Sequence, residues 1–164
     1  MKKENYLGVD VCAIDMEKAL SEIDVIIKNR KPSFLVAINP EKIMKAQKDE
    51  KLKELINSAD LQIPDGIGIV YASKFKKGDI KKRVTGIDLM QNICDMSAKK
   101  GYKVFLLGAK PGVAEEASKI LMERYAGLNI VGTRDGYFKE DEEVVNYIKT
   151  FSPDILFIAM GSPK

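Results

Sequence analysis

Five short apolar runs, each bounded by turn-forming residues and separated by stretches of three- and four-residue apolar spacing, restrict this chain's fold more than any other feature. Runs of that length read as strands buried on both faces, and amphipathic helices between them are the usual crossovers joining parallel strands. The runs are Ser33 to Ile38, Leu61 to Ile63, Tyr102 to Leu107, Leu128 to Val131 and Asp154 to Met160. Ahead of the first, Asp15 reads as the cap of a helix whose buried face carries Met16, Ala19, Leu20, Ile23 and Ile27 and which ends near Lys31-Pro32. Further helices follow from Pro40, through Ile69, Val70 and Ala72, through Leu89, Ile93 and Met96 to a stop at Gly101, and then on the stripes Val113, Ala117, Ile120, Leu121 and Val144, Val145, Ile148. The alternation predicts an α/β fold: a Rossmann-like, largely parallel sheet with helices on both faces and right-handed crossovers. With 164 residues, 45% of them hydrophobic, and no long linker or repeat, residues 1–164 read as a single domain.

Composition then removes whole classes of chemistry. The chain has no histidine, so Ser-His-Asp and Cys-His catalysis are excluded and the commonest metal ligand is absent. Acid or base work at neutral pH falls to Asp, Glu, Lys, Tyr or Cys. The formal charge of +3 is small and scattered, which argues against nucleic acid as a partner; the one basic loop of note runs from Lys74 to Arg83. No stretch approaches the roughly 20 apolar residues of a membrane span, and no signal-peptide hydrophobic region follows the first residues, so a cytoplasmic location is expected. Cys12 and Cys94 form no Cys-x-x-Cys and read as small buried thiols rather than a disulfide or zinc pair.

Open parallel sheets bind ligands beyond the carboxyl ends of their strands, and the informative residues of this chain follow its strands. Gly108-Ala109-Lys110-Pro111-Gly112 joins a strand to a helix with two glycines, so backbone N–H groups and a helix N-terminus can receive a diphosphate. An ordinary turn with Pro111 at the first helical position accounts for the same residues. Asp65, in Pro64-Asp65-Gly66, is either a turn residue or the carboxylate that deprotonates a hydroxyl. Asn39 is a helix cap, a pocket residue, or both, since a capping oxygen leaves the amide NH₂ free. Arg83 precedes a helix that Thr85 can cap and is either a solvated charge or an anion contact. Asp135, Gly136 and Tyr137 lie where a base or ribose would reach, although a plain turn explains them too. The acidic run Glu140 to Glu143 complements a helix dipole without any metal.

Six segments in order, Asn39-Pro40-Glu41, Ile63 to Gly68, Arg83 to Asp88, Leu106 to Ala114, Asp135 to Phe138 and Gly161-Ser162-Pro163-Lys164, together resemble the WecG/TagA/CpsF glycosyltransferase family from about Leu7 to the last residue. The resemblance, nearest to the TagA branch, implies inverting transfer of N-acetylmannosamine from UDP onto undecaprenyl-diphosphate-N-acetylglucosamine, a step of wall teichoic acid linkage-unit synthesis at the cytoplasmic membrane face. It implies Asp65 as general base on the acceptor hydroxyl, Asn39 and Arg83 at the substrate, and Gly108, Ala109, Lys110, Gly112, Asp135, Gly136, Tyr137, Gly161 and Pro163 around UDP. No Asp-x-Asp motif is present, so no metal or other cofactor is expected, the leaving diphosphate being held by amides, a helix N-terminus and basic side chains. Relatives also imply self-association, for which the apolar residues from Ile67 to Phe75 are candidates, although a core helix explains them as well.

Two departures from the family pattern stand out. Ala37 occupies a position where many relatives carry Thr, and the chain stops at Lys164 where the family continues with a segment credited with basic pocket residues and membrane docking. A truncated chain that folds and binds UDP but transfers weakly is therefore the expectation. Two other functions compete: a UDP-binding fragment without catalysis, and a dinucleotide-dependent oxidoreductase, which would need the glycine fingerprint this chain lacks.

Overall fold

A computed structural model describes residues 1–161. The chain divides into two compact units, Met1–Leu89 and the residues from Met90 onward. In the first unit, strands β1 (Lys3–Tyr6) and β2 (Val9–Cys12) form an antiparallel hairpin and α1 (Met16–Lys28) follows. Then come β3 (Leu35–Ile38), α2 (Pro40–Ala46), α3 (Glu50–Ser58), β4 (Leu61–Pro64) and α4 (Ile67–Phe75), with β3 and β4 paired in parallel. Helix α5 (Gly86–Lys100) begins in this unit and continues into the second, which adds β5 (Lys103–Gly108), α6 (Val113–Arg124), β6 (Asn129–Arg134), α7 (Asp141–Phe151) and β7 (Ile155–Ala159). Its sheet has the order β6-β5-β7 and is parallel throughout.

The α/β class and all five expected strands are present, and every pairing among those five is parallel. They fall into two sheets, one in each unit, and the N-terminal hairpin adds a third. β3 starts two residues later than expected because the Phe34 N–H is taken by Asp60 Oδ2, at 3.1 Å, instead of a ladder partner. α1 stops at Lys28, ahead of Lys31-Pro32. Its Asp15 cap is as read, accepting from the Lys18 N–H at 2.9 Å. Pro111 lies outside α6, which Gly112 precedes in a left-handed conformation, so the reading of Pro111 as first helical residue is corrected.

Each unit has its own apolar interior. Val9, Val11, Ile38, Ile43, Ile56, Ile69 and Ile80 are buried together in the first. In the second, β5 carries Val104 and Leu106 to one cluster with Cys94, Ala114 and Leu128, and Phe105 and Leu107 to another with Val144 and Ile148. That alternation is the period-two pattern of a strand covered on both faces. Cys12 and Cys94 are buried free thiols, and burial pushes the Cys94 thiol up to about 11.

Two polar side chains, one buried and one partly buried, hold the first unit together. Gln62 is wholly buried, and its Nε2 donates to the carbonyls of Ile56, Asn57 and Ala59 at 3.0, 3.2 and 2.9 Å. The Ile56 carbonyl also accepts from the Ala59 N–H at 3.2 Å; with all three carbonyls bound, the side chain closes the C-terminal end of α3 from inside β4. Its Oε1 and backbone N–H both meet Cys12 Sγ at 3.4 Å, which ties β4 to β2. Glu4 plays the second such role. Burial alone would raise its carboxyl, but hydrogen bonds from Tyr6 Oη (2.6 Å), the Asp79 and Ile80 N–H groups (2.7 and 3.0 Å) and Ser73 Oγ (3.0 Å) hold it below its ordinary value of 4.5. Tyr6 moves the other way, to about 12, through burial and the bond to Glu4.

Gln62→Ala takes a donor from three carbonyls, of which Ile56 O keeps the Ala59 N–H, and empties a buried site, so a loss of about 3 kcal/mol is expected in urea unfolding. Glu4 binds its proton less readily folded than unfolded, so its contribution is present above pH 4.5 and is lost as pH falls from there through the lower folded value. Unfolding titrations between pH 6 and about 3 should show that decline in the wild type and a flatter profile in Glu4→Gln, itself less stable by about 1–2 kcal/mol at neutral pH.

Candidate functional site

In the first unit the site begins with strand register. β3 and β4 pair Ile38 with Pro64, so the next residues, Asn39 and Asp65, leave the sheet side by side. The Asp65 N–H donates to Ile38 O at 2.8 Å and extends the ladder one step past the strand. On the other side of β4, Pro64 O accepts from the Val84 N–H at 2.8 Å, which brings the start of α5 to the same edge. Thr85 caps that helix as expected: its Oγ1 accepts from the Asp88 N–H at 3.1 Å and donates to Asp88 Oδ2 at 2.6 Å.

The first N–H of α5, on Gly86, donates to Asp65 Oδ2 at 3.2 Å. Asp65 thus satisfies a helix donor that has no partner within its own helix. Its second oxygen, Oδ1, has no hydrogen-bond partner among the described residues, and no ion pair there involves it. Asn39 caps α2, its Oδ1 accepting from the Lys42 N–H at 2.8 Å, and its Nδ2 keeps its donors free among the described residues. Gly68, in the first turn of α4, lies so close to Pro40 that an added Cβ would stand 2.8 Å from Pro40 Cγ; glycine there lets the two helix starts approach.

Lys42 was not singled out from sequence. It is half-buried, and its Nζ donates to Ala37 O at 2.7 Å. Burial lowers its pKa from the ordinary 10.5, and the negative charge of Asp65 opposes that shift. The signal was available: a residue three past a helix cap projects its side chain back toward the helix N-terminus. Arg83 is exposed and makes no ion pair among the described residues; only its place beside Val84 brings it to this edge.

In the second unit the expected nucleotide residues come together at the carboxyl edge of the β6-β5-β7 sheet. Gly108 ends β5 at φ 130, and an added Cβ would stand 2.3 Å from Ala159 O, so no other residue fits. Ala109, at φ 60, donates its N–H to Ala159 O and accepts from the Gly136 N–H, both at 2.9 Å. Those two bonds join the loops after β5 and β6 to the end of β7. The Tyr137 N–H donates to Asp135 Oδ1 at 2.8 Å, a local turn that leaves the Tyr137 ring exposed. Lys110 is exposed beside Gly112, which opens α6 without a capping side chain; the Val113 N–H is taken by Lys110 O at 3.1 Å, and the amides that follow it in the first turn receive no side-chain cap from Gly112. Arg134, the last residue of β6 and directly before Asp135, is a cation that the sequence reading places at this edge without a role. Gly161 lies just past β7 at φ 74, and Pro163 lies outside the described residues.

The sequence profile of the Glycosyl transferase WecG/TagA/CpsF family matches residues 4–164. An N-acetylglucosaminyldiphosphoundecaprenol N-acetyl-beta-D-mannosaminyltransferase of Staphylococcus aureus is 36% identical over 164 residues, covering 99% of this chain and 65% of the relative. One of the same name from Bacillus spizizenii is 34% identical over 137 residues, 84% of this chain and 53% of the relative. The chain therefore spans between about half and two thirds of the length of these relatives. No helix among the described residues is long and apolar enough to cross a membrane. With a match over nearly its whole length, and with the pairings β3-β4 and β6-β5-β7 running parallel in the two units, the chain belongs to the WecG/TagA/CpsF family of glycosyl transferases.

Proposed function

We propose that this chain is the donor-binding and base-bearing part of an inverting transferase that moves N-acetylmannosamine from UDP to undecaprenyl-diphosphate-N-acetylglucosamine, for wall teichoic acid linkage units. The observation that carries the reading is Asp65: a carboxylate fixed by one oxygen to the Gly86 N–H, with the other open at a strand edge beside the Asn39 amide. In a chain without histidine that arrangement suits a base. The acceptor hydroxyl gives its proton to Asp65 as its oxygen bonds to the anomeric carbon of the donor, and the bond from that carbon to the diphosphate breaks with inversion, releasing UDP. Lys42 supplies positive charge near Asp65, and Asn39 Nδ2 is free to donate to a sugar oxygen.

The loops of the second unit take UDP in this reading. Gly108 to Gly112 and the uncapped start of α6 present backbone donors to the diphosphate, with Lys110 as a cation. Asp135, Gly136 and Tyr137 receive the nucleoside, Tyr137 by its exposed ring and Asp135 by its second oxygen. Gly161 and Pro163 complete that set, and Arg83 meets an anion of the substrate. Residues 1–164 act as one nucleotide-sugar-binding domain, at the cytoplasmic face of the membrane that carries the lipid acceptor. The absence of an Asp-x-Asp motif supports transfer without a resident metal.

Turnover is measured with UDP-N-acetylmannosamine and a lipid-linked N-acetylglucosamine acceptor. Asp65→Asn keeps an acceptor for the Gly86 N–H and removes the basic oxygen, so turnover should fall by about 10²–10⁴ while UDP affinity stays within about twofold. Wild-type turnover in that variant would take Asp65 out of the mechanism. UDP at about 100 times its dissociation constant should stabilise the chain by about 2.7 kcal/mol in thermal unfolding. Stabilisation by NAD and none by UDP would favour the oxidoreductase reading instead.

A further inference from the structure

Helix α4 is apolar on both sides. Ile69 and Ser73 are buried, Val70 and Ala72 pack on the core of the first unit, and Ile67, Tyr71 and Phe75 are exposed by 51%, 65% and 92%. The three exposed residues are four apart, so they form one stripe along the helix, ending in a phenylalanine almost wholly in solvent. An amphipathic surface helix keeps its apolar residues on one face, whereas α4 carries a second apolar stripe that the first unit leaves uncovered.

The segment that continues from this stripe is the most basic in the chain. Lys74, Lys76, Lys77, Lys81, Lys82 and Arg83 stand against one acid, Asp79, within ten residues, whereas the whole chain carries only +3. The remainder is therefore net negative, and the positive charge is concentrated at the end of α4. All six cations are exposed. Lys74, Lys77 and Lys81 line a surface depression of about 340 Å³ with Val70, Gly78 and Ile80. The loop is held in shape: the Gly78 N–H donates to Ser73 O at 2.7 Å, and Glu4 accepts from the Asp79 and Ile80 N–H groups. Phe75 and its flanking lysines are thus presented on a fixed support.

An exposed aliphatic and aromatic stripe beside a dense group of lysines is the chemistry that recognises an anionic lipid surface. The rings enter the boundary between headgroups and acyl chains while the cations meet the phosphates. We propose that α4 and the Lys74–Arg83 segment dock this chain on anionic phospholipid bilayers, Phe75 inserting and Lys74, Lys77 and Lys81 receiving a lipid phosphate. This surface is made of residues 67–83, whereas the family resemblance assigns docking to a segment after Lys164. Vesicle binding is measured without donor or acceptor, so it can fail or hold independently of the proposed transfer.

The test is co-sedimentation of the 164-residue chain with vesicles of phosphatidylglycerol and phosphatidylcholine, or of phosphatidylcholine alone, with sedimentation velocity of the free protein. The mixed vesicles should bind at least about tenfold more strongly than the neutral ones, and 0.5 M salt should weaken that binding. Phe75→Ser and the double variant Lys74→Glu, Lys77→Glu should each lower partitioning by about tenfold while their circular dichroism and melting match the wild type. Equal binding to both vesicle types, or unaltered binding by both variants, would overturn the proposal. So would a wild-type oligomer that Phe75→Ser dissociates without any vesicle binding, which would make the stripe an interface between copies, or capture of oligonucleotides in place of vesicles.

Discussion

The residue-for-residue parallel pairing of β3 with β4 is the constraint from which the candidate site follows. Parallel strands end on the same side, so whatever follows Ile38 and Pro64 emerges at one edge. Pro64 closes the strand with no N–H to donate, yet its carbonyl accepts from Val84 and the Asp65 N–H resumes bonding to Ile38. A slip of one residue would turn Ile38 and Ile63, both in the interior, to the opposite face. The apolar core thereby fixes the register, and the register fixes where Asn39 and Asp65 stand.

The same economy governs the N-terminal hairpin. Glu4 sits on β1 but binds the loop after α4, so the first residues of the chain set the conformation of residues 78–80. Its acceptor oxygens are matched by four donors, which is why a partly buried carboxylate is tolerated there. Lys76 reinforces the contact, its Nζ lying 4.8 Å from the centre of the Tyr6 ring and donating to Asn5 O. The basic segment is in this way tethered by an acid on its inner side while its lysines stay in water.

The parallel strands were legible because each is an uninterrupted apolar run, and their edge residues were legible because the fold class fixes where loops meet. The hairpin was not, for a physical reason. Its turn places Leu7 at φ 53 and Gly8 at φ 85, and leucine is not a residue that announces a left-handed position. β1 itself, Lys3-Glu4-Asn5-Tyr6, has no apolar alternation to read. Helix α3 was not read as a separate element, since no glycine or proline stands between it and the helix that starts at Pro40, although Asp49 caps α3 by accepting from the Leu52 N–H. In the site, Asn39 and Thr85 were readable as caps from residue type and spacing alone. For Lys42 the reach back to Ala37, five residues away, was readable from its place three past the cap, whereas its proximity to Asp65 depends on the pairing of β3 with β4 and is not local in sequence.

Hydrogen bonding also separates Asp65 from the other acids of the chain. A base must offer an oxygen that folding has not claimed. Glu4 is saturated by four donors. Asp15 and Asp49 cap helices, and Asp88 closes a capping box with Thr85. Asp24 and Asp95 pair with lysines one helical turn away, Asp60 binds the Phe34 N–H and Lys31, and Asp154 binds the Lys103 N–H. Among acids at the carboxyl edges of the parallel strands, Asp65 and Asp135 each keep an oxygen without a partner among the described residues. The two differ in how they are held. Asp135 closes a two-residue turn on its own loop, whereas Asp65 is fixed by strand pairing through its backbone and by the first amide of a 15-residue helix through its side chain. A proton acceptor must keep its position as charge moves onto the reacting atoms, and only Asp65 is held from two separate elements.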